Sequence, residues 1–572
     1  MYTQMASMQR VRVKGHTYWR IVESRRVNGK PRAIPVMHLG TANALLNRLL
    51  QAPEGRLRLR SFAHGDVAAL KAVADRLDVV GLIDRHVPGR PRGQSVGTTL
   101  LLAALNRAVR PRSKRGWAAW AGQTSIERLF PGLDLDAMTS QFFWDQMHRV
   151  PVETLRAIED DLVRTMVSEL GVELDTLFYD ATNFFTYINT TNSRCTVAQR
   201  GHSKQKRADL RIFNLALLVT RDSQIPLLSH VYEGNTVDSR SFPSLLTRIR
   251  ERLEQLSLDV KDVTLVYDKG NHSLDNQARV DDAPFSYVAS LVPAHHQELM
   301  EIPLERYRAS GKGSLGHVPL LRLRREIWGK KRTTVLFWSE QLYTGQVRGL
   351  HQHLERRLAR LAEWKSRLAK PNSGPRTAQA ARKQVDALTS GQYMKKVLRV
   401  NYSGRRKGAN RLHYEVDTKA LDHLTREVFG KRILITDRHD WSDEEILLAY
   451  RGQSHVEAAF RQLKDDEHMA VRPQYHWTDQ KIHVHTFICM LGLLLGRVIE
   501  HEARALDYSQ GLSGLLDLLG TVRLAMVLTP SGTRGGRPRC TWQLEQANPE
   551  ALRLLRHIVP DSAPFVYTDG GA

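Results

Sequence analysis

Apolar residues between positions 62 and 172 return at helical spacing. Val67, Leu70, Val73 and Leu77 form one set, Leu100–Leu105 a second, and Leu155, Ile158, Leu162, Met166 and Leu170 a third. A period between three and four predicts amphipathic helices. From 173 the period changes. Short apolar runs at Leu177–Asp180, Ile212–Thr220, Ile225–Tyr232, Thr264–Asp268 and Phe285–Leu291 predict strands, with an amphipathic helix at Phe242–Leu256 between the third and the fourth. The order is therefore strand, strand, strand, helix, strand, strand.

Before this region, Tyr18–Ser24 and Ala33–Leu39 flank Asn28-Gly29, a strong hairpin signal. After it, residues 294–430 read as an insertion. They hold a basic run (Arg322–Arg332), a leucine-spaced helix (Leu350, Leu354, Leu358, Leu361), a break at Pro371–Pro375, and a hairpin turning at Gly404–Gly408 with Arg405, Arg406 and Lys407 at its tip. Ile433–Thr436 is a further strand, and Tyr450–Lys464 reads as one helix. The apolar run Phe487–Leu495 is too short to span a bilayer and predicts a buried helix, so no membrane association is expected. Thr529–Arg539 reads as a flexible linker, and the last dozen residues as disordered.

The segments group as 1–60, a basic hairpin arm; 61–172, helical; 173–293 and 431–500, two halves of an α/β core; 294–430, the insertion; and 501–572, a C-terminal helical region and tail. A chain of 572 residues is too long for a single core.

Charge narrows the class of partner. The formal net charge is +24 and the pI near 10.0. Residues 1–60 alone carry twelve Lys or Arg against Glu23 and Glu54. A polyanion is the expected partner, nucleic acid first and an anionic membrane surface second. The basic hairpin suits a phosphate backbone; a solvated hairpin packed on the body is the alternative. Three scattered cysteines, Cys195, Cys489 and Cys540, exclude a disulfide framework and fit a reducing, cytoplasmic setting. Residues 1–20 hold no apolar run, so no signal peptide is expected.

Candidate chemistry centres on the helix 450–464. At about 100° per residue, Tyr450, Glu457, Arg461 and Lys464 share a narrow arc, with Val456, Phe460 and Leu463 on an apolar arc beside it. A charged surface helix with ordinary i,i+4 pairs is the alternative. Two strands end alike, Thr176-Leu-Phe-Tyr-Asp180 and Thr264-Leu-Val-Tyr-Asp268, each driving an aspartate to a strand end, though Asp can simply terminate a strand. Three carboxylates would suit hard divalent cations, and two such ions about 4 Å apart can drive phosphoryl transfer. Lys and Arg would then hold the polyanion. His468, His476, His483 and His485 have no cysteine companions and read better as core or surface residues than as zinc ligands.

In order along the chain, Phe178-Tyr-Asp180-Ala-Thr-Asn183, Gly201-His-Ser-Lys204 with Arg207-Ala-Asp209, Gly234-Asn235-Thr-Val-Asp238, Val266-Tyr-Asp268-Lys-Gly-Asn271, Tyr450 through Lys464, and Arg472-Pro473 resemble the bacterial DDE insertion-sequence transposases. The likeness is to the group marked by a Tyr-x2-Arg-x3-Glu-x6-Lys signature, in its long branch with an extra N-terminal region. It covers 173–295 and 430–500 well and the rest loosely.

The resemblance implies an RNase H-like catalytic core, a largely β insertion domain, and a helical, basic N-terminal DNA-binding region. It implies a metal-binding catalytic triad of Asp180, Asp268 and Glu457 with two Mg²⁺ ions, Mn²⁺ being the alternative. Tyr450 and Lys464 map onto the signature's phosphate contacts, and the signature arginine falls on Gln453, a departure. Lys204, Arg207, Lys269 and Arg461 are the further DNA-binding candidates. The implied partners are double-stranded DNA, as element ends and as target, and a second copy in a homodimer. The implied activity is cutting at terminal inverted repeats and joining of 3′ ends to target DNA. A nuclease without strand transfer and a non-catalytic DNA-binding protein are the rivals.

Overall fold

A computed structural model describes residues 6–568 apart from 14–15, 28–29, 45, 47–57, 89–92, 203–206, 257–259, 272, 310, 312, 371–373, 376, 405–410, 473, 530–538 and 560–565. The chain forms two compact units: residues 1–69, 121–132 and 514–572, and residues 70–120 and 133–513.

The first unit carries two antiparallel sheets. Ala6–Val13, His16–Val27 and Lys30–Thr41 form one in chain order. The expected two-stranded ribbon thus has a third strand, paired from Val13↔His16 back to Ala6↔Glu23. Its Asn28-Gly29 turn lies outside the described residues. The second sheet orders Val566–Thr568, Arg539–Leu544, Arg523–Thr529 and Arg58–Ala63. Here two expectations change. The C-terminal region is not helical alone, and Val566–Thr568, within the dozen residues expected to be disordered, pairs with Thr541–Gln543. Arg58–Ala63 pairs with Arg523–Thr529, hundreds of residues away, so no local period announces that pairing. The expected linker falls mostly on 530–538, outside the described residues.

The second unit is built on an eight-stranded sheet. Its strands are β1 (Thr176–Thr186), β2 (Arg211–Thr220), β3 (Pro226–Glu233), β4 (Thr264–Tyr267), β5 (Ser286–Ser290), β6 (Leu320–Ile327), β7 (Lys330–Trp338) and β8 (Lys431–Thr436). Across the sheet they run β3-β2-β1-β4-β5-β8-β7-β6. β1, β4 and β5 are parallel, and every other neighbouring pair is antiparallel. The middle strands are apolar along nearly their whole length because helices cover both faces. Helix α1 (Asp238–Gln255) packs Phe242 against Tyr179 and Tyr267, and α2 (Leu274–Asp281) follows β4. The strands and the first helix follow the order read from the sequence, but α2, between β4 and β5, was not expected, and β1 continues past Asp180 to Thr186 where a strand end was expected.

β6 and β7 lie within the expected insertion, yet they extend this sheet through β8. What departs from the sheet between β7 and β8 is mainly helical, not largely β. Its main element is α3 (Glu340–Leu368), whose buried Leu350, Leu354, Leu361 and Trp364 join a local core with Met394, Val397 and Phe429. Among the described residues one hairpin, Leu398–Ser403 with Arg411–Val416, supplies the strands there, and its expected basic tip, 405–407, lies outside them. Twenty-nine residues with leucines at helical spacing bury their apolar stripe better as a helix than as a strand.

Residues 443–504 hold α4 (Asp443–Arg451), α5 (Gln453–Gln462) and α6 (Asp479–Arg504). The helix expected as continuous over 450–464 breaks at Gly452. A side chain there would collide with the Phe178 ring. Helix α6 is apolar and long enough to cross a membrane by length and composition, but 94% of its apolar window is buried in the protein. It is the central helix of this unit, packed on the helices Val96–Val109, Ser140–His148 and Val152–Leu170.

Candidate active site

The parallel pairing of β1 with β4 sets Tyr179 opposite Tyr267. The next residue in each segment is an aspartate: Asp180 lies within β1, not at its end as expected, and Asp268 directly follows the last residue of β4, so the two flank neighbouring strands about 4.8 Å apart. Both are half-buried. Ser290, at the end of β5, clamps Asp268. Its hydroxyl donates to Asp268 Oδ1 at 2.5 Å and accepts from the Lys269 backbone N–H at 3.1 Å.

Glu457 is carried on α5, which contacts β1. Positions 453, 457 and 464 lie within about 40° on a helix, and Leu463 keeps helical backbone angles beyond the last turn. The two ends of this stripe touch β1 on either side of Asp180. Gln453 Nε2 donates to the Tyr179 carbonyl at 2.8 Å, and Lys464 Nζ donates to Thr182 Oγ1 at 2.7 Å. Glu457 stands between them, exposed, on the side of the helix turned to β1. Val456, Phe460 and Leu463 are buried beneath. Among the described residues, no group of three His, Cys, Asp or Glu is gathered so that it could hold a metal ion.

The remaining candidates separate into two groups. Tyr450 and Gln453 are turned inward. Tyr450 is 8% exposed, and Arg432 donates to its hydroxyl at 2.6 Å. Burial pushes the phenol's pKa up, and the charge of Asp268 adds to this, against the opposing pull of Arg432. Gln453 is equally buried. The others are at the surface. Arg461 is exposed and lines a cleft of about 590 Å³ with Lys464, Gln462, Arg497, Arg504 and Ser513. Lys269 is exposed, and Arg207 grips Asp209 through two hydrogen bonds of 2.8 and 2.7 Å. Lys204 lies outside the described residues.

Ser290, Arg432 and Thr182 were missed by sequence reasoning. Ser290 ends a strand that the sequence does reveal, and its place beside β4 was the signal available. Of the four histidines, His476 and His485 stack at 4.4 Å inside the core, and His468 bonds the Ala108 carbonyl.

No protein-family model matches the chain, and no curated protein matches it. Among solved structures, it is similar to that of a piggyBac transposase synaptic complex with hairpin DNA, at 8% identity and a TM-score of 0.39 over 82% of each chain. A likeness this slight carries no weight for the chemistry.

Proposed function

We propose that the chain is a DNA transposase with an RNase H-like core, cutting DNA at the ends of its element and joining the 3′ ends to target DNA. The observation that carries this reading is the neighbouring placement of Asp180, within β1, and Asp268, directly after β4, with the Glu457 helix laid along β1. The order β3-β2-β1-β4-β5 supports it, as does a net charge of +24 around an acidic edge. An all-carboxylate donor set with no imidazole or thiol in it fits hard divalent ions, Mg²⁺ or Mn²⁺. Asp180, Asp268 and Glu457 would hold them, and bound metal would supply activation of the attacking oxygen and relief of charge on the leaving one.

The protein's own groups do the rest. Ser290 fixes the rotamer of Asp268. Gln453 and Lys464 hold the Glu457 helix against β1. Arg461 and Lys269, both exposed, and Arg207 hold phosphates, and Lys204, outside the described residues, is a further candidate by sequence. Two element ends need two active sites, so a homodimer is part of the proposal.

The test is cleavage of a fragment carrying the element's end in Mg²⁺, comparing the intact chain with Glu457→Gln. Cutting lost with DNA binding retained is the expected result, and unchanged cutting overturns the triad. Supplying pre-cleaved 3′ ends separates joining from hydrolysis. Cutting without joining reduces the protein to a nuclease.

A further inference from the structure

Beyond Thr186, β1 leads into Tyr187, whose backbone N–H donates to the Gln474 carbonyl at 2.9 Å. This contact brings two distant segments together and leaves three large aromatic side chains at the surface. Tyr187 is 43% exposed, Tyr475 61% and Trp477 43%. The Tyr187 and Tyr475 rings stack at 5.1 Å and 25°. Around them stand cations: the Arg194 guanidinium lies 5.4 Å from the Trp477 ring, and that of Arg472 5.1 Å from Phe185, itself edge-on to Tyr187. Asn192 Nδ2 donates to the Trp477 carbonyl at 3.0 Å and pins the second segment as well.

Exposed aromatic rings on a soluble surface are costly unless something covers them. A duplex buries its bases and offers phosphates, for which arginines alone suffice. Exposed rings clustered among arginines instead match unpaired nucleotides, whose bases stack on aromatics while guanidinium groups meet the backbone. We infer that Tyr187, Tyr475 and Trp477, with Arg194 and Arg472, form a platform for unpaired nucleotides of a DNA strand. The platform lies seven residues along β1 from Asp180, roughly 20 Å at strand rise. This inference rests on DNA being the partner, as proposed above, but not on the carboxylate chemistry.

The experiment measures binding of the full chain, by fluorescence anisotropy without added metal, to a blunt duplex and to the same duplex carrying a short single-stranded dT tail. The tailed duplex is expected to bind about tenfold tighter. Tyr187→Ala and Tyr475→Ala should each remove most of that advantage while leaving blunt-duplex affinity unchanged, and Tyr475→Phe, which keeps the ring, should restore it. Equal binding of tailed and blunt DNA by the intact chain overturns the platform and leaves the transposase reading standing. Retention of the advantage by both alanine variants also overturns it. So does a change in oligomeric state with tail binding unaltered, which would reassign the rings to a contact with a second copy. Absence of binding to either DNA overturns both this inference and the reading beneath it.

Discussion

Gln453 Nε2 reaches from the first turn of its helix to the main-chain carbonyl of Tyr179, at 2.8 Å and out of contact with solvent. A side chain on the helix of Glu457 is thereby bonded to the residue immediately before Asp180. With the Lys464–Thr182 bond at the other end of the stripe, it ties the helix of Glu457 to the strand of Asp180. Gln453 occupies the place where an arginine was expected, and its role is to position the helix.

Replacing Gln453 with leucine separates positioning from stability. The Gln453 Oε1 atom has no hydrogen-bond partner among the described residues, so removing the amide also removes a buried unsatisfied acceptor. Unfolding free energy should therefore fall by only about 1 kcal/mol. DNA cleavage should fall tenfold or more, because a displacement of about 1 Å at a reacting group can cost on the order of a hundredfold in rate. Urea midpoints and cleavage rates on the same preparations check this.

Gly452→Ala should destabilise the protein by about 1–3 kcal/mol through overpacking against Phe178. Gly452 has ordinary helical angles, so the cost is steric and not conformational. Adding Phe178→Leu should recover part of the loss, which a double-substitution cycle in thermal melting would measure. Simple addition of the two losses would refute the contact.

Ser290→Ala should leave the fold intact and slow cleavage about tenfold, in keeping with a hydrogen bond to a charged group. Ser290→Thr keeps the hydroxyl and should retain most of the rate. Equal rates for Ser, Thr and Ala would show that Asp268 is held by other means.

His64 gives the first unit a pH dependence of predictable sign. It is buried, with Nδ1 at 2.8 Å from Ser125 Oγ, and burial pushes its pKa down to about 4 from 6.5. The folded unit therefore holds His64 neutral where the unfolded chain would protonate it. Stability is full above pH 6.5, declines as pH falls toward 4, and levels off below, a loss on the order of 3 kcal/mol. His64→Asn keeps a polar atom near Nδ1 but cannot titrate, so thermal melting of that variant should lose this slope between pH 6.5 and 4.

The sequence alone determined the five strands and the long helix of residues 173–293, but it missed the helix Leu274–Asp281 and ended the first strand at Asp180, six residues short of Thr186. Local periodicity carries this information because a strand between covering helices must be apolar throughout, and a helix lying on a sheet must be apolar on one side. It likewise set Glu457 beside an apolar stripe. Only the tertiary structure decided which residues meet. The neighbouring placement of Asp180 and Asp268 follows from strand register across the sheet, and the need for a glycine at 452 from the Phe178 ring more than 270 residues upstream. Arg432 turns Tyr450 inward, the sheet absorbs β6 and β7, and Tyr187 finds Tyr475 through a main-chain bond between remote segments. Each is a contact between positions that share no period, so nothing in the spacing of residues along the chain encodes it.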